Sequence, residues 1–248
     1  AEMARDLDRA RQANVDVCLE MGKYDGMAYP GLSNVFAPRL SAIVAMPTFL
    51  RPGVEIAEDL PLQYAERKIL EIEDYKLIAD LGWKRYAEKY VHKFNPYPPE
   101  KIVAWGQRNT AITRKDVDAF KSIGVSCYLG PSIFSPLMFF SIFRTLVNFT
   151  MDLHRHPDLV QAAMDAIVDD FIQDGIDAAK EIGLPWIMLV LERGGIFYYP
   201  LRIFERFEWP YLKKMAEAWI ADGFVPLLHF DQDWTDNMPY LKDLPRGK

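Results

Sequence analysis

The stretch PWIMLVLE, residues 185–192, decides how this chain folds. Its apolar residues follow one another without alternation until Glu192. A strand with one wet face alternates polar and apolar residues. An unbroken apolar run of this length is instead a strand covered on both faces, as in a parallel sheet between helices.

The flanking sequence agrees. Upstream, HPDLVQAAMDAIVDDFIQDGIDAAKEIG (156–183) repeats apolar residues every four positions, at Leu159/Val160, Ala163/Met164, Ile167/Val168, Phe171/Ile172 and Ile176. That is one stripe of a long helix, with Pro157 in its first turn and Gly183 to end it. Downstream, PLRIFERFEWPYLKKMAEAWIADG (200–223) reads as a helix kinked at Pro210, and FVPLLHF (224–230) as a second buried strand. Further upstream, KIVAW (101–105) and VSCYLGP (125–131) read as strands. TRKDVDAFKSIG (113–124) and SPLMFFSIFRTLVNFTMDL (135–153) read as helices. The N-terminal third predicts a helix over 2–21, a Gly- and Pro-rich passage from Gly22 to Gly53 around a short strand near Ile43–Met46, and helical chain over 61–91. Strands and helices that alternate through short joints make an α/β fold with parallel pairing, either a doubly wound sheet or a (β/α)8 TIM barrel. Residues 1–248 are expected to form one domain.

Composition narrows the function. A net charge of −6 with no basic stripe excludes nucleic acid as the main partner. The apolar stretch 135–151 is interrupted by Arg144 and Asn148, and the charged N-terminus has no signal core, so no membrane span is expected. Two cysteines, Cys18 and Cys127, without a CxxC pair fit a reducing cytoplasm.

Parallel sheets gather ligands at the C-terminal ends of their strands. Glu192 closes one predicted strand and His229 the next, so both should reach one mouth, with Asp231 and Asp233 just beyond. Four readings of HFDQD (229–233) stand side by side. His229, Asp231 and Glu192 could ligate a metal and leave a position open for water or substrate. A buried carboxyl could exchange a proton with His229. The group could hydrogen-bond a small ligand. Or Asp231 or Asp233 caps the following short helix and His229 is a satisfied core residue. Arg193 is a candidate partner for a substrate anion, and Tyr198 and Tyr199 of IFYYP (196–200) could shape an apolar pocket. The turn GPS (130–132) is a further candidate lining of the mouth. ERGG (192–195) lacks the dinucleotide-binding spacing, and the histidines of DLHRHPD (152–158) are explained by a helix start.

In order, YLGP, FTMDLHRHPDLVQAAMDAI, a strand ending in an acid and GG, PLRIFERFEWPYLKKM and LLHFD resemble the uroporphyrinogen decarboxylase superfamily. The resemblance runs from about residue 125 to 248 and is faint before that. It implies a (β/α)8 barrel, of which this chain would cover the first two-thirds or so, with further units in a longer protein or from another chain; a homodimer is a separate expectation. The decarboxylases of the family grip porphyrinogen carboxylates with an N-terminal arginine cluster, and CLEMGKYDGMAYPG (18–31) has none. The resemblance is closer to the corrinoid-dependent methyltransferases, which act on methanol, methylamines or aryl methyl ethers. Their zinc site begins H-x-C on the strand matching LLHFD; here His229 is present and Asp231 replaces the cysteine. The implied function is metal-assisted transfer of a methyl group from a small substrate to a corrinoid protein, with Glu192, His229 and Asp231 both catalytic and metal-holding. Decarboxylation of a porphyrinogen or another carboxylate, and a non-catalytic ligand-binding barrel, are the alternatives.

Overall fold

The computed structural model describes residues 6–22, 25–27, 49–50, 52–61, 63–94, 97–128 and 130–246. The strand expected near Ile43–Met46 lies outside them. The chain opens with α1 (Leu7–Glu20), capped by Asp6, whose carboxylate accepts from the Arg9 amide at 3.0 Å. Among the described residues three two-residue strands follow, β1 (Gly26–Met27), β2 (Phe49–Leu50) and β3 (Gln63–Tyr64). The helical chain expected over 61–91 is shorter. It comprises α2 (Ile72–Leu81) and α3 (Trp83–Phe94), parted at Gly82. Residues 65–70 are not helical, and the amides of Ile69 and Leu70 both donate to the Phe143 carbonyl, at 2.8 and 2.9 Å. The Glu71–Asp74 capping box then starts α2.

KIVAW is not a strand: residues 101–105 lie inside α4 (Pro99–Ser122). Its register is legible only over a longer window. Ile102, Asn109, Thr113, Asp116, Val117 and Phe120 form one buried stripe, and Pro99 sits at the helix start, where its missing N–H costs nothing. VSCYLGP also divides. β4 (Ser126–Cys127) pairs with β1, whereas β5 (Ser132–Phe134) begins on the last residue of the GPS turn and joins another sheet. The turn therefore stands where β5 enters the sheet, at the end opposite the mouth, which corrects its expected role.

The helical cover forms as two pieces, α5 (Pro136–Phe143) and α6 (Leu146–Arg155), because Thr145 adopts φ +70° between them. The long helix α7 (Pro157–Ile182) has the expected bounds and the expected Gly183 cap. β6 (Trp186–Val190) follows, then α8 (Leu201–Phe207) and α9 (Trp209–Ala221) in place of one kinked helix. The break falls at Glu208, two residues before Pro210, so that the proline takes a first-turn position. β7 (Val225–His229) and a 3-10 helix (Met238–Asp243) complete the described chain.

The architecture is α/β. β5, β6 and β7 form a parallel sheet in that order, with β6 central. Four β6 residues, Ile187 to Val190, are buried, as the unalternating sequence requires, while every residue of β7 is half-buried. No closed barrel is formed by the described strands. The main core lies between the sheet and α7, and Trp219 of α9 ties into it by donating its indole N–H to the Ile172 carbonyl at 3.1 Å. Each large apolar side chain buried there contributes about 1.5–3 kcal/mol. No helix among the described residues is long and apolar enough to cross a membrane.

Candidate metal centre

Strand register creates the site. Phe134, Val190 and His229 lie level across β5, β6 and β7. The Leu191 amide donates to the His229 carbonyl at 3.2 Å, locking the end of β6 to that of β7. Glu192 and Asp231 each stand just past this line, so acids from two strands meet the imidazole between them. His229 Nε2 is 3.0 Å from Asp231 Oδ1 and 4.0 Å from Glu192 Oε1. One ligand atom from each residue falls within a 4.8 Å cluster, the one such group of three among the described residues. All three side chains are 40–47 % exposed, so a solute has access to them.

Electrostatics fit this placement. Burial of Glu192 raises its carboxyl above the ordinary range, the Asp231 charge raises it further, and His229 and Arg193 oppose the shift. A bound cation would reverse that balance by favouring both carboxylates in their charged form. The donor set, one imidazole nitrogen and two carboxylate oxygens, suits zinc with an open fourth position. Ligands at zinc bond lengths stand about 3.3 Å apart around a tetrahedral ion. The His229–Asp231 spacing is close to that, and a small rotation of the half-exposed Glu192 would close the rest.

The turn after Glu192 explains its glycines. The Gly194 amide donates to the Leu191 carbonyl at 3.1 Å. A Cβ on Gly194 would sit 2.8 Å from the Glu208 carboxyl carbon, and one on Gly195 would sit 2.8 Å from the Trp234 indole nitrogen. Only glycine permits that approach.

Other expected residues are placed differently. Arg193 turns back into the protein, donating to Glu66 and to the Ser141 carbonyl, both at 2.9 Å. It braces the turn by those bonds. Tyr199 is sealed in the core, edge-on to Phe149, and burial pushes its hydroxyl up to about 12. Tyr198 is half-buried and its neighbour Phe197 is exposed, so these two carry the aromatic character of the loop to the surface. Asp233 is exposed, and hydrogen bonds from the Thr235 side chain and from the Thr235 amide at 2.9 Å hold its carboxyl below the ordinary range; the 3-10 helix that follows takes Asn237 as its N-cap, so neither Asp231 nor Asp233 caps it. Two residues at this rim were not singled out by sequence, Ser135 at the end of β5 and Glu208 between α8 and α9, whose side chains hydrogen-bond at 3.0 Å. Ser135 carries the signal of a helix cap followed by a first-turn proline, Pro136, and Pro210 marks a helix break close to Glu208. A cavity of about 860 Å³ lies elsewhere, between α4 and α7 at the entry of β5; Glu192, His229 and Asp231 do not line it.

No family model and no curated protein sequence matches the chain. Among solved structures it is similar to a methyltransferase from Methanosarcina mazei, at 17% identity and a TM-score of 0.45. The alignment covers 54% of this chain and 39% of that one, so this chain spans well under half of the length of its structural neighbour.

Proposed function

We propose that the chain is a methyltransferase of the uroporphyrinogen decarboxylase superfamily, moving a methyl group from a small methylated substrate to a corrinoid carried by a separate protein. The observation that carries the reading is the convergence of Glu192, His229 and Asp231 from two neighbouring strand ends. The ordered sequence resemblance supports it independently. His229, Asp231 and Glu192 would hold a divalent metal, zinc first, through the imidazole and one oxygen of each acid. When bound, such an ion supplies Lewis acidity toward the oxygen, nitrogen or sulfur that carries the methyl group. Tyr198 and Phe197 would flank an apolar substrate at the rim. The parallel sheet would be part of a (β/α)8 barrel, with the half-exposed β7 as the edge on which a further unit pairs.

Two measurements test the reading. Elemental analysis of purified protein should find about one zinc per chain, and His229→Ala should lose both the metal and methyl transfer. Full transfer by that variant would overturn it. The 3.0 Å contact between His229 and Asp231 favours a second reading, acid–base chemistry such as decarboxylation of a small carboxylate. That reading expects turnover in metal-free protein and no loss of it on chelation.

A further inference from the structure

Beneath the Glu192 turn lies a group of buried polar atoms that local structure leaves unsatisfied. Glu208 is fully buried. Its Oε2 accepts from the Ser135 hydroxyl at 3.0 Å, while Oε1 meets no partner among the described residues. The Trp234 indole N–H and the Asn237 side-chain nitrogen are also buried and find no partner among the described residues. They surround one turn: Trp234 faces Gly195, and Asn237 Oδ1 accepts from the Ile196 amide at 3.1 Å. An unmet buried polar atom costs about 1–3 kcal/mol, so several around a single turn need an explanation.

Glu208 is also costly in itself. It stands at a break between two helices, where a small or apolar residue would serve, yet its side chain runs back to the strand ends. There it meets Ser135 on one side and Gly194 on the other. Ser135 is fixed as the cap of α5, accepting from the Met138 amide at 3.1 Å, and its own amide donates to the Val190 carbonyl at 3.3 Å. The carboxyl of Glu208 is thus wedged between the fixed end of β5 and the backbone two residues after Glu192.

We propose that Glu208 is a positioning residue that sets the placement of Glu192 against His229 and Asp231 by fixing the Gly194 backbone against Ser135. The proposal rests on the metal reading of those three residues. Burial lifts the Glu208 carboxyl to about 8, so it holds its proton at neutral pH and acts as a neutral, shaped wedge. Its neutrality fits the lack of a cationic partner among the described residues. Glutamine has the same shape and hydrogen-bonding span without the acidity, and should replace it. Methionine has the length alone.

The test is titration of the metal-free 248-residue protein with cobalt(II), whose visible absorption reports both affinity and ligand geometry. Wild type and Glu208→Gln are expected to give matching spectra and affinities within about twofold. Glu208→Met is expected to bind at least tenfold more weakly with a shifted spectrum, while its melting temperature holds or rises, because an apolar group replaces a buried acid. Glu208→Met that binds cobalt as wild type does would overturn the positioning role and leave the metal reading standing. Wild type that fails to bind would overturn both. If Glu208→Met does not fold, Gly194→Ala, which presses a Cβ on the same carboxyl, takes its place; a folded variant with unchanged cobalt affinity would overturn the proposal, and a tenfold loss with a shifted spectrum would support it.

Discussion

Val190 and His229 are register partners across β6 and β7, and this pairing brings Glu192 to the imidazole. A shift of one residue would send His229 to the other face of the sheet and dissolve the cluster. The identity of the third ligand is then open to chemistry rather than geometry. Aspartate is a harder donor than thiolate, and zinc prefers the softer one. Asp231→Cys should therefore tighten zinc binding by at least about tenfold, measured by competition with a chelator of known affinity. Affinity that stays level or falls would remove Asp231 from the ligand set.

The sequence disclosed the parts whose signal is periodic and long. α7 and the strands β6 and β7 were legible because burial on both faces leaves no room for polar residues within β6, and because a four-residue stripe runs unbroken along α7. The Glu192–His229 convergence followed from adjacency of those strands. What failed was short. KIVAW looks extended over five residues but belongs to a stripe whose next members, Asn109, Thr113 and Asp116, are polar. Tyr199 and Arg193 lie beside the mouth in sequence, but the turn at Gly194 and Gly195 sends one into the core and the other toward Glu66. Side-chain direction after a turn is set by tertiary packing, which no local pattern records.

Arg144 reads in sequence as an interruption of an apolar stretch, and the structure gives it a partner set that makes a stability prediction. Its Nε donates to Asp152 at 2.7 Å and an Nη to the Leu70 carbonyl at 3.2 Å, and the Tyr75 hydroxyl donates to the same Asp152 oxygen at 3.2 Å. Arg144 and Asp152 are both under 10 % exposed. Removing one charge from such a pair strands the other, at about 3–5 kcal/mol. Arg144→Ala should lower unfolding free energy by about that amount in urea titration. Replacing both residues with apolar ones of similar size, Arg144→Met with Asp152→Leu, should recover most of the loss, since neither charge is then left buried alone. A double variant as unstable as Arg144→Ala would refute the account.

Glu208 also makes stability depend on pH, with a sign fixed by burial. Its carboxyl sits near 4.5 when unfolded and is lifted to about 8 in the folded chain, with desolvation the cause and only the Ser135 hydrogen bond opposing it. Between those values the folded state keeps a proton that the unfolded state has released. Stability from this group is therefore fully present below about pH 4.5, declines as pH rises, and is lost once pH passes about 8. Glu208→Gln cannot titrate, so its unfolding free energy should fall less steeply than that of wild type across this window. The two should diverge most at the alkaline end. Unfolding in urea at closely spaced pH values from 4.5 to 8.5 would show it. Parallel curves for wild type and variant would mean that Glu208 is already ionised in the folded protein, and that burial has not suppressed its charge.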